Sequence, residues 1–349
     1  MDILGDKIAV VSDLHIGVSC SSEKWLQQAL KFAVWFKNDL LDKGIKHIII
    51  PGDFFHDRTD INVQTIQYAS LILDEWKDFK IWMIPGNHDC FYKDNATVSS
   101  ISILKGYKNV TIFDTTSIET FNNKKFVFVP WGVNVSDIPT GDVIIGHFEL
   151  NGFKMNSFKV CEGHDESEHI LDKASIVLTG HFHLRQELRS KKGLVLYVGT
   201  PYEMDYNDMG ADKGYHIVTL SDLNIEFIKY ANTVKHKRVK VTDLIEHKDT
   251  LSGYLSSEIA NNVITFIIDK EIEFEKINAL VQKIQTFQPF IFRGVEYVKK
   301  NETVIDLKDT KANIQTEQLI TDFVEQMELE NSDEVTTLVL ELYNKYKTR

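Results

Sequence analysis

The sequence predicts an α/β fold of two stacked mixed β-sheets flanked by helices, followed by a small α+β domain and a C-terminal helical hairpin. Three observations predict it. Strand and amphipathic-helix patterns alternate from Lys7 to Pro85, and short apolar β runs take over after Asn109. A compact strand–helix–strand–helix–strand series then begins beyond Asn232. Alternation of strands with amphipathic helices argues for a mainly parallel sheet covered on both faces. With 349 residues, the chain is long enough for one sizeable core and an appended domain.

In chain order, the predicted elements are strand Lys7–Ser12, helix Glu23–Leu41, strand His47–Pro51, helix Val63–Trp76 and strand Ile81–Pro85. Strands follow at Val110–Phe113, Phe126–Pro130, Val143–Gly146, Ile176–Thr179, Leu194–Val198, Tyr215–Leu220 and Ile225–Tyr230, and are read as a second sheet stacked on the first. The small domain reads as Val239–Val241, Leu244–Ile259, Val263–Ile268, Phe274–Phe287 and Phe290–Val298. After Lys300 the chain turns polar and acidic, then offers two apolar stripes. Leu319, Ile320, Phe323, Val324 and Met327 form the first; Val335, Leu338, Val339, Leu342, Tyr343 and Tyr346 form the second, with Asn331-Ser332 as turn and N-cap between them. The expected domains are therefore 1–232, 233–300 and 301–349.

Composition narrows the class. A content of 43% hydrophobic and 26% charged residues is that of an ordinary soluble globular protein. The start has no basic n-region and no h-region, and no stretch approaches the ~20 apolar residues of a membrane span. Three scattered cysteines (Cys20, Cys90, Cys161) fit thiols in a reducing cytoplasm, not a disulfide framework or a CxxC metal site. The net charge of −12 runs against the basic footprint of a nucleic-acid binder, so any DNA contact must rest on local patches, bound metal or a partner.

Five short motifs fall at the C-terminal ends of predicted strands, where open α/β sheets place their sites. They are Asp13-Leu14-His15, Gly52-Asp53-Phe54-Phe55-His56, Gly86-Asn87-His88-Asp89, Gly146-His147 and Gly180-His181-Phe182-His183. Each alone is weak; in this order they converge on one crevice. Six of the twelve histidines lie in these motifs. The other six (His47, His164, His169, His216, His236, His247) have no partner at ligand spacing and make a comparison set. The motif glycines are read as sharp turns where the strands end. Two divalent ions about 3.5–4 Å apart can activate water and clamp both oxygens of an in-line displacement at phosphorus. Holding them so close requires an anionic bridge, for which a carboxylate bonded to both ions is the natural solution. Mixed oxygen and nitrogen donors exclude a calcium cage and suit manganese, iron or zinc.

The order DxH, GDxxH, GNHD, GH, GHxH resembles the calcineurin-like metallophosphoesterases over about residues 7–200, with their four-layer sandwich. The resemblance implies that Asp13, His15, Asp53 and His183 hold one ion. It implies that Asp53, Asn87, His147 and His181 hold the other, with Asp53 as the bridge. His88 would be the general acid or transition-state stabiliser, oriented by Asp89, and His56 a substrate-positioning residue. Protein phosphatases of this class carry an Asp three residues after the bridging Asp and a GNHE. Here His56 stands at that place and the motif reads GNHD, which is similar to the SbcD-type double-strand-break nucleases.

That closer resemblance implies manganese, DNA as substrate, an SbcC-type SMC-like ATPase partner gripped by the C-terminal helices, a DNA-capping role for the small domain, and a homodimer. The candidate phosphate contacts are Arg185, Arg189, Lys191 and Lys192, and Lys235, Lys237, Arg238 and Lys240 in the basic run. Tyr202 is expected either to line the cleft or to pack, and Cys90 is excluded as a nucleophile because activated water fills that role. The expected function is a DNA exonuclease and endonuclease acting in recombination and end processing. The competing readings are a small-molecule or cyclic-nucleotide phosphodiesterase and a metal-free scaffold.

Overall fold

The computed structural model describes residues 5–155, 159–162, 167–298, 321, 324 and 332–346. The chain forms two compact units, Met1–Val298 and Lys299–Arg349. Strands are numbered in chain order. In the first sheet β1 (Lys7–Val10), β2 (His47–Ile50), β3 (Lys80–Met83) and β4 (Val110–Ile112) run parallel. The second sheet is built from β5 (Ser117–Phe121), β6 (Lys124–Val129), β7 (Val143–His147), β8 (Ile176–Gly180), β9 (Gln186–Arg189) and β10 (Leu194–Tyr197), in the order β5-β6-β7-β8-β10-β9. The hairpin of β11 (Gly214–Thr219) and β12 (Ile225–Lys229) joins the first sheet antiparallel through β1, giving β12-β11-β1-β2-β3-β4.

The sandwich follows from period-2 burial on strands that are apolar on both faces. Ile8, Val10, Ile49 and Trp82 point from the first sheet to the inner layer, where Phe126, Phe128, Val143 and Ile145 meet them from the second. The alternate residues Ala9, Ile48, Ile50, Ile81 and Met83 face outward and pack on helices Glu23–Asp42 and Val63–Glu75. Val127, Val129, Ile144 and Val177 cover the far side of the second sheet with Ile170 and Leu171 of the short helix Ser167–Leu171.

The fold class expected from the sequence is the one observed, with differences of assignment. Strands β4, β11 and β12 belong to the first sheet, not the second. Strands β5 and β9 escaped sequence reading because both are sheet edges with half-exposed, polar-rich sequences, SIETF and QELR. The helix expected over 244–259 is broken into Val241–Glu246 and Leu251–Ile259, because Lys248-Asp249-Thr250 between them carries no apolar side chain to bury. The basic run is itself the strand β13 (His236–Lys240), three residues earlier than expected.

Strand β13 pairs in parallel with β14 (Val263–Ile268), which pairs in parallel with β15 (Ile291–Tyr297). This sheet has its own core, centred on Val239, Leu255, Ile259, Phe266 and Ile284, and lies within the first compact unit. It is tied to the sandwich by Lys24 Nζ donating to Phe290 O (2.5 Å), by Trp25 stacked on His236, and by Glu203 accepting the His236 N–H at 2.6 Å. In the second unit, Ser332–Tyr346 is helical. The first predicted stripe lies outside the described residues apart from Val324, as does Asn331 of the predicted turn. No helix among the described residues is long and apolar enough to cross a membrane.

Trp76 is fully buried between the two outer helices, donating from Nε1 to Ala33 O at 3.0 Å and packing edge-on to Phe36. Replacing it with alanine should destabilise the protein by about 3–5 kcal/mol through the cavity left behind. A urea unfolding curve checks this, and an unchanged midpoint would contradict the packing described.

Candidate metal centre

The ends of β1, β2 and β3 in one sheet and of β7 and β8 in the other deliver all five motifs to one place. The backbone bends hard to do so. Asp13 (φ 54°), His15 (φ 45°), Asp53 (φ 52°) and His181 (φ 96°) all adopt left-handed conformations that non-glycine residues rarely take. Such conformations cost about 1–3 kcal/mol each and persist where surrounding structure over-determines them. Here it does: Asp13 N donates to Gly52 O (3.2 Å), His15 N to Asp53 O (3.0 Å) and Ile16 N to Phe54 O (2.8 Å), lacing two strand-end loops together. Tyr202 is packed rather than lining the cleft. Its hydroxyl donates to Leu14 O at 2.6 Å and braces the Asp13–His15 turn from behind.

The glycines act differently from the sequence expectation. Only Gly52 of the four has a left-handed φ (95°). Gly86 and Gly180 instead make room. A Cβ on Gly86 would sit 2.2 Å from Asp53 Oδ1, and one on Gly180 would sit 2.4 Å from Ser12 Oγ and 2.7 Å from His147 Nδ1.

All seven predicted ligands converge. Asp53 Oδ2 lies 3.5 Å from His15 Nε2 and 3.4 Å from His147 Nε2, between imidazoles delivered by different sheets. Asn87 Oδ1 is 2.9 Å from both His147 Nε2 and His181 Nδ1. His183 Nε2 is 3.1 Å from His15 Nε2, and Asp13 Oδ1 accepts the His181 N–H at 3.0 Å. His56 and His88 stand beside His15, and one nitrogen from each of the three lies within 4.8 Å of the others.

Backbone and buried side chains aim these donors. His147 Nδ1 donates to Pro51 O (2.8 Å), which leaves Nε2 for the cleft. His88 Nδ1 donates to His56 O at 2.6 Å, so the His56 carbonyl orients His88. The expectation that Asp89 does so is corrected. Both Asp89 oxygens are buried and accept the backbone N–H groups of Phe54 (3.2 Å), Phe55 (2.9 Å) and Gly86 (3.0 Å). Asp89 therefore fixes the loop that carries Asp53. Sequence reading missed Asp208, whose Oδ2 lies 3.8 Å from His183 Nδ1 while Oδ1 accepts from Lys213 Nζ at 2.6 Å, both charges fully buried. Its signal is absent from local spacing, because the loop 205–213 approaches His183 only in the fold.

The electrostatics show a cluster short of positive charge. Burial pushes Asp13 upward, and pushes Asp89 up to about 7 with Asp53 adding to it and the backbone donors opposing. Burial lowers His15 well below the usual imidazole range and His181 to about 3. Burial also opposes charge on His147, but the Asp53 carboxylate outweighs it and holds that imidazole up at about 9. Burial would raise Asp53 in turn, yet His147 and its neighbours hold it well below the carboxylate range. Asp13 Oδ2 is buried with no hydrogen-bond partner. An orphaned carboxylate oxygen among inward-facing imidazoles is the donor set a divalent cation satisfies, so the residues fit the metals that the motifs imply. Burial raises Cys90 to about 12, which excludes a reactive thiolate there.

The predicted DNA contacts do not form a free basic patch. Arg185 donates to His216 Nε2 (3.1 Å) and lies over Phe227; Arg189 pairs with Glu187 at 3.2 Å, and Lys192 with Asp172 at 2.6 Å. Lys237 pairs with Glu258 (2.8 Å) and Arg238 with Glu296 (3.5 Å). Lys191, Lys235 and Lys240 are exposed. Glu187 within β9, and Glu258 and Glu296 on elements beside β13, neutralise part of the runs that look basic in sequence.

A two-sheet sandwich with carboxylate, amide and imidazole donors at its strand ends defines a metallophosphoesterase. A profile of the calcineurin-like phosphoesterases matches residues 6–185, more than half of the chain, and the chain belongs to that family. It is similar to a putative phosphoesterase, 078R, of Invertebrate iridescent virus 3 (28% identical over 169 residues, 42% of this chain and 46% of that one). It is also similar to a DNA polymerase II small subunit of Methanothermobacter thermautotrophicus (32% over 102 residues, 24% of this chain and 20% of that one). The chain thus spans under half the length of the first relative and a fifth of the second. Among solved structures, it resembles an archaeal phosphodiesterase (16% identity, TM-score 0.36, 64% of this chain and 99% of that one). It likewise resembles a dimetal phosphatase from Danio rerio (10%, TM-score 0.39, 61% and 92%).

Asp208→Asn should weaken metal binding by about 10–100-fold, the usual effect of losing a group that orients a ligand histidine. Titration against a chelating dye measures it, and unchanged affinity would show that Asp208 serves only Lys213.

Proposed function

We propose that this chain is a two-metal phosphodiesterase whose substrate is DNA, a nuclease acting in recombination and double-strand-break end processing beside an SMC-like ATPase. One observation carries the phosphodiesterase reading: Asp53 Oδ2 stands between His15 and His147, 3.5 and 3.4 Å away, as a bridging carboxylate must. Asp13, His15, Asp53 and His183 would hold one divalent cation and Asp53, Asn87, His147 and His181 the other, manganese in this reading. Such cations supply Lewis acidity at phosphoryl oxygens and an acidified water.

The remaining steps belong to the chain's own residues. His88, locked through Nδ1 to the His56 carbonyl, presents Nε2 as the donor of a proton to the departing oxygen. His56 stacks on His88 with ring centroids 5.3 Å apart, and replaces the Asp that protein phosphatases carry at this place. That replacement and the GNHD motif support the nuclease reading. So does the three-stranded sheet with its own core, a platform for capping DNA that a small-molecule enzyme does not need. The helix Ser332–Tyr346 leaves Leu338 57% exposed, which suits a groove on the ATPase coiled coil. A small-molecule phosphodiesterase is the second reading, favoured by the pairing of the basic residues with acids.

Chelator treatment followed by manganese, with plasmid DNA and a chromogenic phosphodiester assayed side by side, separates the two. Cleavage of the small ester alone would end the nuclease reading. Asp53→Asn should abolish both activities in a folded protein and release at least one metal ion, because the bridge loses its charge. Two tightly held ions in that variant, seen by metal analysis, would refute the bridge. His88→Ala should keep its metal and lose about 10²–10⁴ in turnover; loss of metal would instead make His88 a ligand. Deleting Gln315–Arg349 should leave melting behaviour and small-ester hydrolysis intact while ending association with the ATPase. A lower melting temperature without partner would place this segment in the protein's own core.

A further inference from the structure

A cavity of about 450 Å³ opens beside the metal centre, and the hydrolytic chemistry above makes no use of it. Trp131 and Phe148 give it apolar walls, and His147 lines it as well, so it is continuous with the second predicted metal position. Its size is that of a ligand cleft.

Trp131 is held in place before any ligand arrives. Its backbone N–H donates to Pro85 O (3.1 Å) and its indole Nε1 donates to Lys93 O (2.7 Å). The ring lies nearly parallel to His181, with centroids 5.3 Å apart and planes at 29°, and edge-on to His147 at 5.9 Å. Next to it, Gly132 (φ 84°) presses so close to the 91–95 loop that a Cβ would meet Asp94 O at 2.3 Å. An indole fixed this way, half-buried and next to the reacting centre, loses little freedom when something flat stacks on it.

The charges say what that flat group is. Asp94, Glu149 and Glu162 line the cavity against one ammonium, Lys93. A phosphate would be repelled. A neutral heterocycle with exocyclic amino groups would be welcomed, since carboxylates accept hydrogen bonds from such groups. Resting on the DNA reading above, we infer that this cavity is a subsite for an unpaired nucleobase next to the scissile phosphodiester, stacked on Trp131. Amino-bearing adenine, cytosine and guanine are preferred over thymine. A base paired in duplex cannot enter, so the subsite selects single strands and frayed ends.

The test uses the full chain with manganese and three single strands of equal length: oligo-dA, oligo-dT and a strand of abasic residues. The wild type should cleave oligo-dA with a kcat/KM about 5- to 150-fold above the abasic strand, the range that stacking of one base on an aromatic ring confers. Oligo-dT should fall between them. Trp131→Ala should erase the difference and Trp131→Phe should keep it, with metal content measured on each variant. Equal cleavage of oligo-dA and the abasic strand by the wild type overturns the subsite, as does a preference that survives in Trp131→Ala. If no strand is cleaved, the nuclease reading fails, and the cavity is judged separately by tryptophan fluorescence in chelator. Saturable quenching by deoxyadenosine but not by deoxyribose, lost in Trp131→Phe, then supports the base subsite. Absence of quenching overturns it.

Discussion

The carboxylate of Asp53 is the constraint on which the rest of the centre depends. It is 1% exposed, accepts the His88 N–H through Oδ1 at 2.8 Å, and offers Oδ2 to imidazoles from both sheets. A buried anion in that position must be compensated, and in the protein alone His147 takes up that role by holding a proton it would otherwise lose on burial. Divalent cations relieve the same deficit without protonating a ligand. The donor cluster thus gathers around a buried charge of the kind a divalent cation balances, and the orphaned Asp13 Oδ2 belongs to the same donor set.

Placing that carboxylate requires strain. Four predicted site residues sit at left-handed φ, and the loops bearing them are pinned by Asp89 below, Tyr202 behind and reciprocal backbone bonds between the ends of β1 and β2. Close approach by Gly86 and Gly180 lets the Asp53 and His147 side chains meet where any Cβ would block them. The glycine spacing of the motifs therefore reports close packing against the Asp53 and His147 side chains more than turning.

The fold class and the gathering of the seven candidate donors at one place were legible because they leave local signals. Strand ends show as apolar runs stopped by glycine, and ligands show as Asp, Asn and His just beyond them. What was illegible depends on distance in sequence. Asp208 meets His183 from a loop that carries none of the motifs, and Trp131 stacks on His181 across 50 residues. The edge strands β5 and β9 were missed because half of each faces outward, and the apparent basic patch failed because its neutralising acids, Glu258 and Glu296, lie on other elements. Charge runs describe composition; pairing is a property of the fold.

The three-residue turn Tyr206–Asp208 draws these threads together. Asp208, fully buried, faces His183 and Lys213 and accepts the Met204 N–H at 2.9 Å. Two residues earlier, the Tyr206 hydroxyl bonds Thr265 of β14, and its ring lies beneath Arg238 and Arg293 of the small domain. Glu203, just upstream, accepts the His236 N–H at the start of β13 and the Gly210 N–H within the same loop. One short segment is therefore fixed at one end by His183 of the candidate metal centre and at the other by the α+β domain. The buried Asp208–Lys213 pair adds little stability of its own, since desolvation offsets most of the attraction. Lys213 Nζ also donates to His183 O (2.9 Å) and Thr200 Oγ1 (2.6 Å), so the pair ties the 205–213 loop to the His183 backbone as well as to its ring.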